Sequence, residues 1–366
     1  MTQGGNPVLD SILGQVTDEA GVHPPSRVPA HPVHSGSLPR ARMKVLVAVG
    51  ANASVDARRF AADQVHALRA LGVDVTRVVL DRRRCAPSRV ADVVHLHPGP
   101  ETTPEQVADL RRRAPLLLVL SEPGRAGADL VPGADQVVVP SRHALVHLLD
   151  QVDLRPRLGR ILFPGTPFTR RSEAPPLGAG PLRLVHLGSR RPASGLADLA
   201  AVLAELPEGA VTLDCVGPAS GQDARLVALA GSAPVRFHPW PDPGTLPTPA
   251  LEAHLAVFPW RSPERYALGV DDALALGVPV WVSGGEAVGE RHDASTFTDL
   301  PLGDPDAWRE ELETWLADPT RADEAYEALP HRVPSTTDAV QALVRWSSEL
   351  IHSPREFDNR PYRRLA

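Results

Sequence analysis

Lysine is almost missing from this 366-residue chain: Lys and Arg together number 38, and Lys44 is the only lysine among them. Any site that needs a cation must therefore use arginine, whose planar guanidinium binds carboxylate and phosphate through paired hydrogen bonds. Cysteine is nearly as scarce. Cys85 and Cys215 are the whole complement, which excludes a disulfide framework and a four-cysteine zinc site and fits a reducing, cytoplasmic setting. No apolar run approaches the ~18 residues of a membrane-spanning helix. No basic segment followed by an apolar one marks a secretory signal at the start. Neither charge dominates: 38 basic residues face 44 acidic ones, for a net charge of −6. A nucleic-acid or anionic-membrane binder needs a positive surface excess, so those roles are disfavoured. Several catalytic signatures are also absent. No G-x-G-x-x-G follows the first strand of either half, which disfavours a nicotinamide dehydrogenase. Lys44 lacks the context of a Gly-Lys-Ser/Thr phosphate loop. There is no H-E-x-x-H or G-x-S-x-G, and no cluster is read as a metal site.

What is present is an ordinary globular balance, 43% apolar and 22% charged residues, enough for two cores in a chain whose length suggests two domains. Residues 1–42 read as a disordered tail, with scattered Pro, Gly and His and no sustained periodicity. From residue 43 to 170 apolar strands alternate with helices. The strands are 44–50, 73–80, 91–97, 115–120, 136–140 and 159–164. The helices are 54–71, 104–113 and 141–149, and the pattern is that of a parallel, doubly wound sheet. Residues 171–181 form a linker rich in Pro and Gly. The alternation restarts over 182–335, with strands at 182–188, 211–217, 235–238, 254–259 and 279–283. Helices follow at 195–206, 223–230, up to 276, 305–316 and 321–329. A terminal helix occupies 336–352, and 353–366 reads as a second tail.

The most informative stretch is Ala256–Val282. Glu264 is followed two residues later by Tyr266 and eight residues later by Asp272. Ala273, Ala275, Gly277, Pro279 and Val280 then fall in an Ala-x-Ala-x-Gly-x-Pro-Val register. A helix beginning near Ala267, after an apolar strand, points free N–H groups and a partial positive charge at the strand end, where a diphosphate would sit. A carboxylate accepts from paired hydroxyls, so the two acids suit a sugar and a ribose. The pattern resembles the signature of the glycosyltransferase-4-like family of retaining transferases with the GT-B fold, with Ala267 where the family has Gly and Asp272 where it has Glu. The likeness extends to 184–206, similar to the family's first strand, diphosphate loop and helix, and to 134–168. In all it covers about residues 44–350.

The resemblance implies an α/β protein of two Rossmann-like, doubly wound domains facing across a crevice, with the C-terminal helix crossing back and packing on both. The N-terminal domain would take an acceptor of unknown class, whether small molecule, glycan or protein. The C-terminal domain would hold a nucleotide-diphosphate sugar. Configuration would be retained, with no metal and no cofactor beyond the donor. Glu264 would orient the donor sugar. Gly188, Tyr266, Ala267, Leu268 and Asp272 would contact the donor, with Asp272 on the ribose. The family's two basic positions on the diphosphate are here Ser189 and Ser194, and Arg190 or Arg191 is the candidate replacement. The family's histidine–acid pair after the fourth strand is replaced by Ser121 and Glu122. His95 and His97, which alternation puts on one face at the end of their strand, join Glu122 as candidates for acceptor binding or proton handling. The Gly50–Asn52 turn is another element on the ligand side. These departures leave a second class open: a GT-B scaffold that has lost catalysis and serves as a binding or partner subunit. A sugar-nucleotide epimerase of the same architecture is a third reading, and a homo-oligomer also stays open. Deleting residues 1–42 is expected to shift Tm by less than about 5 °C, since a larger drop in a chain of this size would mean roughly 2 kcal/mol of packing by the tail; a thermal melt of the truncated protein checks it.

Overall fold

The computed structural model describes residues 43–81, 91–121, 125–152, 154, 158–168, 180–242, 245–262, 266–318, 320–330 and 332–352. The expected tails, most of the expected linker, and the candidates Glu122 and Glu264 lie outside these residues. The chain divides into two compact units, Met1–Leu162 with Gln341–Ala366, and Phe163–Val340.

In the first unit the order is β1 (Lys44–Gly50), α1 (Val55–Ala70), β2 (Asp74–Leu80), β3 (Val93–His97), α2 (Pro104–Arg113), β4 (Leu116–Val119), α3 (Arg125–Ala128), β5 (Gln136–Val139), α4 (Arg142–Leu149) and β6 (Gly159–Ile161). The helix starts follow local chemistry. The Ser54 hydroxyl accepts from the Ala57 N–H at the head of α1, and Thr103 with Gln106 forms a reciprocal capping box before Pro104 on α2. All strands are parallel, in the order β2-β1-β3-β4-β5-β6. The inner strands β3, β4 and β5 are buried along their whole length, while edge strand β2 is mostly exposed or half-buried, as expected for a sheet covered by helices on both faces.

The second unit runs β7 (Leu182–Leu187), α5 (Leu196–Glu205), β8 (Val211–Val216), α6 (Asp223–Leu229), β9 (Val235–His238), α7 (Thr248–Glu252), β10 (Leu255–Phe258), α8 (Leu268–Ala275), β11 (Val280–Ser283), α9 (Glu286–Gly289), β12 (Thr298–Leu300), α10 (Pro305–Ala317) and α11 (Thr320–Glu327). A last helix, α12 (Thr336–His352), starts in this unit and continues in the first. The parallel sheet has the order β12-β11-β10-β7-β8-β9. Successive strand residues serve opposite cores: Val185, Leu187, Ala256 and Phe258 face one, Leu184, Cys215, Val257 and Trp281 the other. On the latter side Trp281 meets Trp308 and Trp315 edge-on, with ring centroids 6.0 and 5.1 Å away. No helix among the described residues is long and apolar enough to cross a membrane.

The strands and long helices fall where apolar periodicity places them. The additions are α3, α7, α9 and β12, pieces of three to five residues that are too short to carry a period. One close approach fixes the end of the second sheet. A Cβ on Gly269, in the first turn of α8, would lie 2.0 Å from the Leu187 carbonyl oxygen and 2.9 Å from the Phe258 ring. Only glycine lets this helix start against the ends of β7 and β10. Gly269→Ala is therefore expected to destabilise by about 1–3 kcal/mol through overpacking. Gly180→Ala, at a residue with open space around it, should be near neutral. Denaturant melts of the two variants check the contrast.

Candidate functional site

In open parallel sheets ligands bind beyond the strand C-termini, at the point where the strand order reverses. In the first unit that point lies between β1 and β3. A cavity of about 370 Å³ opens there, lined by Ala51, Asn52, Asp81, Pro100 and Glu101. The Asn52 N–H donates to the Glu101 carboxylate at 3.1 Å, and β1 and β3 end so close together that a Cβ on Gly50 would meet the Gly99 nitrogen at 2.2 Å.

His95 and His97 do not line this cavity. Both are on one face of β3, as alternation requires, and that face is the interior. Each is 0% exposed. The bonds among them form one chain: His97 Nε2 to the Gln64 carbonyl at 2.7 Å, the Gln64 amide to His95 Nδ1, His95 Nε2 to Ser347 Oγ at 2.8 Å, and Ser347 Oγ to the Leu343 carbonyl at 2.6 Å. The last link fixes the direction of all the others. Ser347 donates to a carbonyl, so it accepts from His95 Nε2–H, which leaves Nδ1 to accept from Gln64, whose oxygen accepts from His97 Nε2–H. The His95 ring is then neutral. Burial agrees with this, lowering the pKa of His95 to about 4 and that of His97 to about 3. The expectation of an acceptor or proton-handling role is corrected: these are core residues, sealed beneath α1 and α12.

In the second unit the order reverses between β7 and β10; counted from β7 it is the 3-2-1-4-5-6 arrangement of dinucleotide-binding sheets. The N-terminus of α8 abuts this point, and no side chain caps it at Ala267. Beside it, the loop after β7 turns through Gly188 and Gly195. Gly195 has φ +69° and sits where a Cβ would be 1.5 Å from the Pro259 oxygen, so this loop is pressed onto the end of β10. Arg190 folds inward from the loop. Its side chain is 1% exposed, its Nε and Nη2 donate to the Asp223 carboxylate at 2.7 and 2.9 Å, and its guanidinium lies 5.0 Å from the Phe237 ring centre. The paired bonds from Arg190 hold the Asp223 carboxyl below the usual carboxylate range. The third nitrogen, Nη1, is buried with no hydrogen-bond partner. It lies by the gap between the Gly188 and Gly217 backbones, 3.5 Å from where a Gly217 Cβ would stand. The two candidate arginines thus separate: Arg190 is internal and Arg191 is exposed. Ser194 is buried and donates to the Arg191 carbonyl, and Ser189 is half-buried.

The remaining candidates turn inward. Tyr266, Ala267 and Leu268 are 5%, 7% and 3% exposed. Asp272 is 0% exposed and accepts from Thr166 Oγ1 at 2.8 Å. The bond to Thr166 joins α8 to the segment after β6. Its neighbour Asp271 was not singled out by the sequence, yet it gathers the densest polar cluster here. Arg291 Nε and His292 Nε2 each reach its Oδ1 at 2.7 Å, and the Tyr266 hydroxyl donates to Oδ2. Burial pushes the Asp271 carboxyl up, but Arg291, His292 and Tyr266 outweigh it and hold the pKa down to about 2. Burial and the adjacent carboxylate push the Tyr266 phenol well above its ordinary value. The available signal was that α8 is apolar on every side of its two acids, so both had to find buried partners.

The buried histidines make stability pH-dependent. Their folded pKa values are lowered, so below pH ~6.5 the unfolded chain binds protons that the folded chain cannot. Stability is expected to be flat above that pH and to fall from about 6.5 towards 4 for His95 and 3 for His97. The slope is about 1.4 kcal/mol per pH unit for each ring. Urea melts between pH 7.5 and 4.5 check it, and His97→Gln should flatten the curve.

No protein-family model and no curated protein sequence matches the chain. Solved structures do. HepE (Alr3699) of Anabaena, in complex with UDP-glucose, superposes with a TM-score of 0.63 at 16% identity, over 84% of this chain and 100% of that one. A glycosyltransferase from Rickettsia africae gives 0.64 at 14% identity, over 86% and 100%. A protein assigned as a UDP-N-acetylglucosamine 2-epimerase, from Listeria monocytogenes, gives 0.53 at 16%, over 86% and 98%. At these identities the likeness is one of architecture, and with two parallel six-stranded sheets flanked by helices this chain has the GT-B fold.

Proposed function

We propose that this protein is a glycosyltransferase, similar to the glycosyltransferase-4-like family, that takes a sugar from a nucleoside-diphosphate donor. The observation that carries the reading is the reversal point of the second sheet. The uncapped N-terminus of α8 abuts it, and the buried, partner-free Nη1 of Arg190 lies by the Gly188–Gly217 gap. Backbone N–H groups at a helix start and a guanidinium edge are both donors suited to phosphate oxygens. The UDP-glucose bound to HepE, a protein of the same fold, supports this ligand class.

As the glycosidic bond to the diphosphate breaks, negative charge grows on the leaving oxygens. Fixed donors in a partly dry site lower that barrier without reorganising. On this reading the α8 N–H groups and Arg190 carry that charge, and the reaction proceeds with no metal and with retention at the anomeric carbon. Glu264, assigned by its place in the motif, orients the donor sugar. The cavity between β1 and β3 is the acceptor end. Its lining of Asn52, Asp81 and Glu101 suits hydroxyl-bearing acceptors, since carboxylates and amides accept from them. A cytoplasmic location is part of the same reading. The second class, a scaffold that binds without turnover, is favoured by one observation: His95 and His97 are withdrawn into the core.

Titration with UDP and with uridine tests donor binding. Arg190→Gln is expected to weaken UDP about ten- to a hundredfold, the ~1.5–3 kcal/mol of a charge-assisted bond, and to leave uridine nearly unchanged. Equal small losses would return Arg190 to a structural role. Glu264→Gln should keep UDP binding and cut turnover with the best donor from a nucleotide-sugar screen, and a chelator should leave wild-type turnover intact. Product analysis by NMR separates transfer from epimerisation, and absence of turnover with every donor would favour the scaffold.

A further inference from the structure

The Asp271 cluster lies beneath the proposed phosphate site without forming part of it, and its geometry has a direct bearing on that site. Arg291 is 1% exposed in its side chain, and all three of its nitrogens donate inside the protein. Nε goes to Asp271, Nη1 to the Ala287 carbonyl at 2.6 Å, and Nη2 to the Ala267 carbonyl at 3.2 Å. The guanidinium lies over the ring of Tyr266, the residue before Ala267, 4.3 Å from its centre. It has no edge left for a ligand.

The Ala267 carbonyl is the telling partner. It already accepts the Val270 N–H at 3.1 Å, so Arg291 supplies a second donor to the same oxygen. A peptide unit is planar and trans, so its C=O and the following N–H point in opposite directions. Holding the Ala267 oxygen inward therefore aims the Leu268 N–H outward from the start of α8. We propose that Arg291 is a positioning residue for the diphosphate: through Ala267 it sets the direction of the first α8 donor, and Asp271 sets Arg291. This rests on the phosphate-binding reading of α8 given above. Tyr266 and His292 brace the same carboxylate, but nothing shows either of them on the Ala267 oxygen.

Arg291→Lys separates this role from simple support. The ammonium keeps a positive charge beside Asp271 but is a point donor that cannot span Asp271 and Ala267 as a fork does. The folded variant is expected to bind UDP about tenfold more weakly than wild type and to bind uridine as before. Trp308→Phe, which removes the bond to Ser283 in the opposite core of the same unit, should lower Tm and leave the UDP-to-uridine affinity ratio unchanged. Should Arg291→Lys not fold, the charge-free pair Asp271→Asn with Arg291→Gln gives the same comparison, because a buried ion pair replaced on both sides is often tolerated. An unchanged ratio in the folded Arg291 variant, or an equal change in Trp308→Phe, overturns the positioning role while donor binding stands. Failure of the wild type to bind UDP, GDP, ADP, CDP or TDP overturns the donor reading itself, and this inference with it.

Discussion

One buried carboxylate organises the start of α8 in the second unit. Taking a charge such as that of Asp271 out of water costs several kcal/mol, and removing a partner from such a pair typically costs about 3–5 kcal/mol. The chain meets that cost with donors from widely separated segments: Tyr266 after β10, and Arg291 and His292 after β11. The Gly165 N–H then donates to the Tyr266 hydroxyl oxygen at 3.3 Å, and Thr166 donates to the neighbouring Asp272. Loops that would otherwise move independently converge on two consecutive residues of α8. Rigidity is what a site needs if its donors are backbone N–H groups, which cannot adjust by changing rotamer.

Arg190 shows the opposite arrangement, a cation only partly satisfied. Asp223 accepts from two of its nitrogens. A guanidinium left wholly free in that position would attract any anion. Paired with Asp223, it leaves only Nη1, with its two N–H groups, without a hydrogen-bond partner beside glycine backbone. One internal arginine thus stands in the same loop as Ser189 and Ser194.

How much of this was legible in the sequence follows from the range of the interactions. The strands and long helices are local, set by apolar periodicity and by caps such as Ser54, Thr103 with Pro104, and Asp304 with Pro305. They could be read directly. The register from Glu264 to Val280 placed α8 and its N-terminus correctly, because a motif of that kind is also local. Side-chain direction was not legible. His95 and His97 stand at the end of a strand, where a site is expected, yet their partner Gln64 lies on α1 and Ser347 lies 252 residues beyond His95. Asp272 was expected to face a ribose. Its partner Thr166 is 106 residues away, and nothing in the spacing of one motif reveals a bond of that length. Asp271, Arg291 and His292 were passed over for the same reason.

The first unit is discontinuous, and this has a consequence for how the protein is made. The polar chain through its core ends on Ser347, in α12, which the ribosome reaches only after the whole of 163–340 has been synthesised. Until then His95 lacks its acceptor, and the face of the first unit that α12 covers, with Trp346 over Arg160, is open to water. The second unit is continuous and completes its own sheet earlier, although its sequence comes later. Translation therefore yields the second unit as the first finished body, while the N-terminal unit waits for the C-terminal helix. Nascent chains stalled before residue 341 are expected to display the apolar surface that chaperones recognise.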